Sequence, residues 1–145
     1  MEIYSIGFTQ KTAEQFFGIL KRHGIKQLLD VRLKNVSQLS GFAKQADLEY
    51  FLREICGAQY IHAPILAPTN EMLAAYKKEK GSWEEYETQF LRLMAERKVE
   101  SAIAPSLLST PTVLLCSEPT AEYCHRRLVL EYLEAKWGDL KIQHL

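Results

Sequence analysis

Arg22-His-Gly-Ile-Lys-Gln-Leu-Leu-Asp-Val-Arg32 decides the fold. It leaves a helix at Gly24 and runs at once into an apolar stretch whose polar residues gather at its carboxyl end, the pattern of a buried parallel strand. The same junction recurs at Gly57, before Gln59-Tyr-Ile-His-Ala63, and at Gly138, before the segment Leu140 to Leu145. A glycine that stops a helix, followed within about two residues by a strand, is the cadence of strand-helix-strand units, and parallel neighbours require such crossovers. The fold expected is a single α/β domain over residues 1–145, with a mainly parallel sheet of about five strands and helices on both faces.

The remaining elements fit that frame. Glu2-Ile-Tyr-Ser-Ile-Gly-Phe8 reads as the first strand. Thr12-x-x-Gln15 is a capping box, followed by Ala13, Phe16, Phe17 and Leu20 on one helical face. Leu48, Phe51, Leu52 and Ile55 repeat that spacing, Asn70 to Lys80 reads as a short helix, and Ser82-x-x-Glu85 opens a longer one. Trp83, Tyr86 and Phe90 share a face of it and read as core. A short helix is expected within Val99 to Leu108, a buried strand over Thr112-Val-Leu-Leu-Cys116, and a helix from Thr120 to Lys136.

At 145 residues the chain has the common size of one domain, and its 47% hydrophobic and 25% charged residues match an ordinary globular protein. Eighteen basic residues balance eighteen acidic ones, so no molecule-wide field exists to hold a polyanion, and nucleic-acid binding would need a local patch. Three cysteines and no apolar leader before Tyr4 point to reduced thiols and a cytoplasmic location. No apolar run approaches the roughly 20 residues that span a bilayer, so no membrane partner is expected.

In open parallel sheets ligands bind outside the carboxyl ends of the strands. Two motifs land there: Asp30-Val-Arg32 after the second strand, and Cys116-Ser-Glu118 after the fourth, followed by Cys124-His-Arg126. A carboxylate, two thiols, an imidazole and guanidinium groups near one crevice suit anion binding, proton transfer or nucleophilic attack. Each also has a plainer role. Asp30 can cap a turn, Arg32 can pair with Asp30 or Glu118, and Cys116 can be an apolar filler. Cys124 sits one turn before Leu128 and can be packing, or a thiol activated near a helix start. His125 is the natural acid-base group, unless its ring is spent on a backbone bond. His62 ends the third strand and either reaches this edge or is solvated, while His23 and His144 read as solvent groups at a helix end and the chain end.

Three familiar chemistries fail on spacing. A phosphatase or sulfurtransferase loop places Arg a few residues after its Cys, whereas Cys116 is followed by two acids and no Arg before Arg126. Cys116, Cys124 and His125 form a Cys-x7-Cys-His pattern with no second pair, so no metal is expected. No glycine-rich phosphate loop occurs, Gly7 and Gly18 being isolated, so no nucleotide cofactor is expected.

From Tyr4-Ser-Ile-Gly7 through Asp30-Val-Arg32, Gly41-Phe42 and Tyr60-Ile-His62-Ala-Pro64 to Cys116-x-Glu118 and Cys124-His-Arg126, the chain resembles the uncharacterised proteins of domain of unknown function 488. The resemblance implies that Asp30, Arg32, Cys116, Glu118, Cys124, His125 and Arg126 belong together. This chain departs from the family pattern at Phe8, where His is frequent, and at Gln38, where Arg often follows Ser37, so no role of those residues carries over.

The function expected is an enzyme or ligand-processing domain for a small anionic or nucleotide-like substrate. His125, Cys124, Cys116, Glu118 and Asp30 are the candidate catalytic residues, with Glu118 orienting His125 or Arg126. Arg32, Arg126, His62 and Tyr4 are the candidate substrate-binding residues. The alternatives are a non-catalytic nucleic-acid module using Arg32, Lys34 and Lys44 as a phosphate patch, and an interaction domain whose polar cluster is structural. Oligomeric state stays open.

Overall fold

The computed structural model describes residues 1–145. Its five strands are β1 (Glu2–Gly7), β2 (Gln27–Asp30), β3 (Gln59–His62), β4 (Thr112–Cys116) and β5 (Lys141–His144). They form one all-parallel sheet in the order β3-β2-β4-β1-β5. Register pairs Gly7 with Cys116, Asp30 with Leu115 and Asp30 with His62, so the second and fourth strands end at one edge, as their sequences imply.

Alternation along the strands sorts their side chains onto two faces. Tyr4, Ile6, Leu28, Val113 and Leu115 meet helices α1 (Ala13–Arg22) and α2 (Gln45–Phe51), and the π-helical segment Leu52–Cys56 that continues α2, through Phe16, Phe17, Leu20, Leu48 and Leu52. On the other face Ile3, Leu29, Leu114 and Cys116 meet α3 (Asn70–Leu73), α4 (Trp83–Glu96), α5 (Val99–Ala102) and α6 (His125–Trp137) through Met72, Phe90, Met94, Val99, Leu128 and Val129. Both layers are closed, which is why β4 is buried along its whole length and reads as an unbroken apolar run. All three junction glycines adopt positive φ, between 60° and 68°.

Two stretches differ from the sequence reading. The expected helix within 99–108 is split into α5 and a 3₁₀ turn at Pro105–Leu108, because Ala104 is held extended by the proline that follows it. The last long helix starts at His125, not Thr120: residues 117–121 are bends, 122–123 form a turn, and Cys124 is an extended N-cap residue. The chain folds over the sheet edge there, because the Glu118 carbonyl accepts from the Arg126 guanidinium at 2.8 Å and Pro119 brings no N–H to a ladder. Cys124 is therefore not on a helical turn with Leu128, although both lie in the same apolar layer.

The chain leaves β2 toward α2 on one face and β4 toward α6 on the other, and these two strands are neighbours. That divergence opens a crevice above their carboxyl ends, the place where such sheets bind ligands.

Candidate functional site

Asp30 and Arg32 close β2 as a buried pair. The Asp30 Oδ1 accepts from the Arg32 backbone N–H at 3.1 Å and from Nε at 2.8 Å, and Oδ2 accepts from Nη2 at 2.8 Å and from the Tyr60 hydroxyl at 2.6 Å. Burial opposes the charged carboxylate, but the guanidinium and the hydroxyl outweigh it and hold the Asp30 pKa below the usual carboxylate range. Arg32 also donates to the Ala43 carbonyl at 2.7 Å, which fixes the loop after β2, and its Nη1 has no partner.

Cys116 closes β4, and its Sγ lies 3.5 Å from Nδ1 of His125. The His125 Nε2 is 2.7 Å from the Val31 carbonyl, which can only accept, so Nε2 carries the proton and Nδ1 is the basic nitrogen beside the thiol. The neighbouring Cys124 thiol, with the Ser117 and Glu118 amides and the charge of Arg126, lowers the Cys116 pKa against the opposing effect of burial. The neighbouring Cys116 and burial push the Cys124 thiol up, so Cys116 is the acidic member of the pair.

These groups floor a cavity of about 440 Å³ over the crevice. Arg32, Cys116, Cys124 and His125 line its base, and Lys34, Lys77, Lys78 and Glu118 its rim. Lys77 and Glu118 are bridged at 2.6 Å. Of the Lys, Arg, Asp and Glu residues lining the cavity, four are cationic and only Glu118 is anionic. Tyr76, Trp83, Tyr86 and Tyr123 make an aromatic wall, with Trp83 stacked on Tyr86 at 5.3 Å and edge-on to Tyr123 at 5.6 Å.

The structure thus brings Arg32, Cys116, Glu118, Cys124 and His125 to one cavity and leaves other expected residues outside it. Asp30 is sealed behind Arg32, with no exposed surface. Arg126 is fully buried: its Nε donates to Ser5 Oγ at 3.1 Å and its Nη1 to the Glu118 carbonyl, so it holds the turn and supplies positive potential without facing the cavity. His62 is bonded to the Arg32 carbonyl at 3.0 Å and steadies the loop. Tyr4 lies on the opposite face, its hydroxyl bonded to Glu2 and its ring against His23. Glu118 orients neither His125 nor Arg126 with its carboxylate, which faces Lys77; the carbonyl of Val31 orients His125. His144, read as a solvent group, is hydrogen-bonded to Ser5 through its Nδ1.

Lys77, Lys78, Tyr76 and Tyr123 escape the sequence reading, and Trp83 and Tyr86 lie at the wall as well as in the core. The Tyr76-Lys-Lys78 run was a signal that basic and aromatic side chains meet there, but nothing local places that run over the sheet edge. Of the phosphate patch, Lys34 and Arg32 line the cavity while Lys44 is engaged by Gln38 at 3.0 Å and Asp47 at 3.5 Å.

No helix is long and apolar enough to cross a membrane. The chain matches domain of unknown function DUF488 over residues 12–133 of its 145, and it belongs to that family. No curated protein and no solved structure matches it.

Proposed function

We propose that this member of the DUF488 family is an enzyme or ligand-processing domain whose substrate is small and anionic, with a planar part of the kind a nucleotide carries. The observation that carries this reading is the composition of the cavity above β2 and β4: lysines on its rim, aromatic rings on its wall, and a thiol-imidazole pair at its base.

Each part has a role that follows from its chemistry. Lys34, Lys77 and Lys78 hold the anionic end, and the wall of Trp83 and Tyr76 takes the planar end by stacking. Cys116 is the nucleophile, because Cys124, two backbone amides and the Arg126 charge favour its thiolate. His125, aimed by Val31, accepts the thiol proton at Nδ1 and delivers it to the group that leaves as the Cys116 sulfur bonds to the electrophilic centre; water, deprotonated by the same nitrogen, then displaces the sulfur and restores the thiol. Asp30 keeps Arg32 in place, and Arg32 with His62 keeps the loop from 33 onward at the rim.

Calorimetric titration of the chelator-treated full chain with orthophosphate, pyrophosphate and nucleoside mono- and triphosphates tests the reading. At least one anion is expected to bind, and Lys77→Ala with Lys78→Ala to weaken it about tenfold or more, as befits loss of about 1.4 kcal/mol. Failure of every anion to bind, or binding indifferent to both lysines, would overturn it.

A further inference from the structure

We propose that Cys116, Cys124 and His125 form a metal site for one zinc-class ion, with an open coordination position facing the cavity. The two sulfurs and a ring nitrogen lie within 4.8 Å of one another, and all three residues are buried at the base of the cavity. This replaces the nucleophile and base roles of Cys116 and His125 with ligation, and rests on the anion-site reading only for what occupies the open position.

The donor chemistry selects the ion. Two thiolates and one imidazole suit zinc and its soft neighbours and disfavour magnesium or calcium, which take oxygen ligands. A tetrahedral ion with sulfur at about 2.3 Å and nitrogen at about 2.0–2.1 Å sets donor-donor edges of roughly 3.5–3.8 Å. The Cys116 Sγ to His125 Nδ1 distance, 3.5 Å, already meets this, and the widest edge, no more than 4.8 Å, has to close by roughly 1.0–1.3 Å at most.

The surroundings supply a second, independent indication. A ligating histidine donates its other ring N–H to a carbonyl or carboxylate, which fixes tautomer and orientation. His125 does this before any ion arrives: Nε2 bonds to the Val31 carbonyl at 2.7 Å, and the nitrogen nearer the thiol, Nδ1, is left unprotonated. Two thiolates also cancel the charge of a divalent ion, so the loaded centre buries no net charge.

The sequence pattern lacks the second ligand pair of a closed structural site, but three protein ligands with a free fourth position is the arrangement of catalytic zinc. Lys34, Lys77 and Lys78 line the same cavity as the three ligands. With the ion in place the thiolates are ligands, and the fourth position is where a water or the anionic end of the substrate binds.

The test is anaerobic titration of the reduced, chelator-treated full chain with Co²⁺, followed by displacement with Zn²⁺. One ion per chain is expected, with a sulfur-to-cobalt charge-transfer band and tetrahedral visible bands. Cys116→Ser and Cys124→Ser should each weaken binding by more than about 100-fold, beyond what loss of an outer partner costs, and Cys56→Ser should not change it. Absence of the charge-transfer band in the wild type, or its persistence in Cys116→Ser, overturns the site. If the serine variants do not fold, wild-type protein decides: stoichiometric Zn²⁺ should block alkylation of Cys116, and undiminished alkylation overturns the site. Because the anion titration is run on metal-free protein, loss of the metal site leaves the anion reading standing or falling on its own data.

Discussion

Gly7 and the Glu118 carbonyl share a space that admits no side chain: a β-carbon on Gly7 would overlap the carbonyl oxygen and press on the Arg126 guanidinium. Gly7 ends β1 opposite Cys116, so this contact sets how the turn after β4 leaves the sheet. Gly7→Ala is expected to cost about 1–3 kcal/mol of stability, the usual price of overpacking. It should also move the Ser117 and Glu118 amides off the Cys116 sulfur. Urea unfolding measures the first effect and the alkylation rate of Cys116 the second; a variant with unchanged stability would show that the turn relaxes freely.

Much of this arrangement is legible in the sequence. Gly24, Gly57 and Gly138 mark helix ends locally, and the burial of the strands follows from their apolar runs, so the parallel sheet and the edge carrying Asp30 and Cys116 can be read from short windows. The rim cannot. Lys77 reaches Glu118 across 41 positions of sequence, and only the docking of residues 70–83 above the edge makes that contact. The late start of α6 escapes for a similar reason, since Arg126 bonds the Glu118 carbonyl and thereby holds residues 117–124 out of a helix that their local composition allows.

The buried pair of Asp30 and Arg32 predicts a specific acid response. Asp30 has a folded-state pKa below its ordinary value of 3.8, so it contributes stability that is fully present above that value and is lost as pH falls through the depressed folded pKa. Asp30→Asn leaves Arg32 buried without its counter-charge and should cost about 3–5 kcal/mol at neutral pH. The gap between wild type and variant should narrow below about pH 4. Urea unfolding across pH 3–7 checks this, and a gap that widens on acidification would contradict the assignment.

Tyr60 supports the same carboxylate from β3, through its hydroxyl at 2.6 Å. Tyr60→Phe should cost roughly 1–3 kcal/mol, because a buried charged acceptor loses one donor while Arg32 keeps the other bonds. It should leave Cys116 alkylation unchanged, since Tyr60 does not line the cavity. Equal losses in stability and thiol reactivity would mean that the β2 edge and the β4 edge move together.

Thiol reactivity separates the three cysteines by environment. Cys116 is activated by the Cys124 thiol and neighbouring amides, whereas burial pushes Cys56 up and the neighbouring Cys116, with burial, pushes Cys124 up. In metal-free protein near pH 7, Cys116 should alkylate first, and His125→Ala should slow it by removing the base 3.5 Å away. Peptide mass spectrometry of a timed iodoacetamide reaction reads all three sites at once. If neither Cys116 nor Cys124 reacts in the folded chain, both are packing residues and the chemistry must rest on His125.

The nucleic-acid alternative differs from the small-anion reading in what the charges can reach. A duplex or single strand presents many phosphates, and each lysine contact contributes close to one to the slope of log affinity against log salt. In this chain Lys44 is held by Gln38 and Asp47, Arg32 is buried against Asp30, and Lys34 and Lys77 line a concave cavity of about 440 Å³. The net charge of the chain is zero, so no wider field adds to them. Oligonucleotides are therefore expected to show no binding at about 50 mM salt, while a mononucleotide or pyrophosphate binds and is lost on Lys77→Glu. Tight oligonucleotide binding with a steep salt slope that Lys34→Ala and Lys44→Ala each reduce would reverse the order of the two readings, because it would place the working surface on the loop after β2 and leave the thiol floor without a substrate.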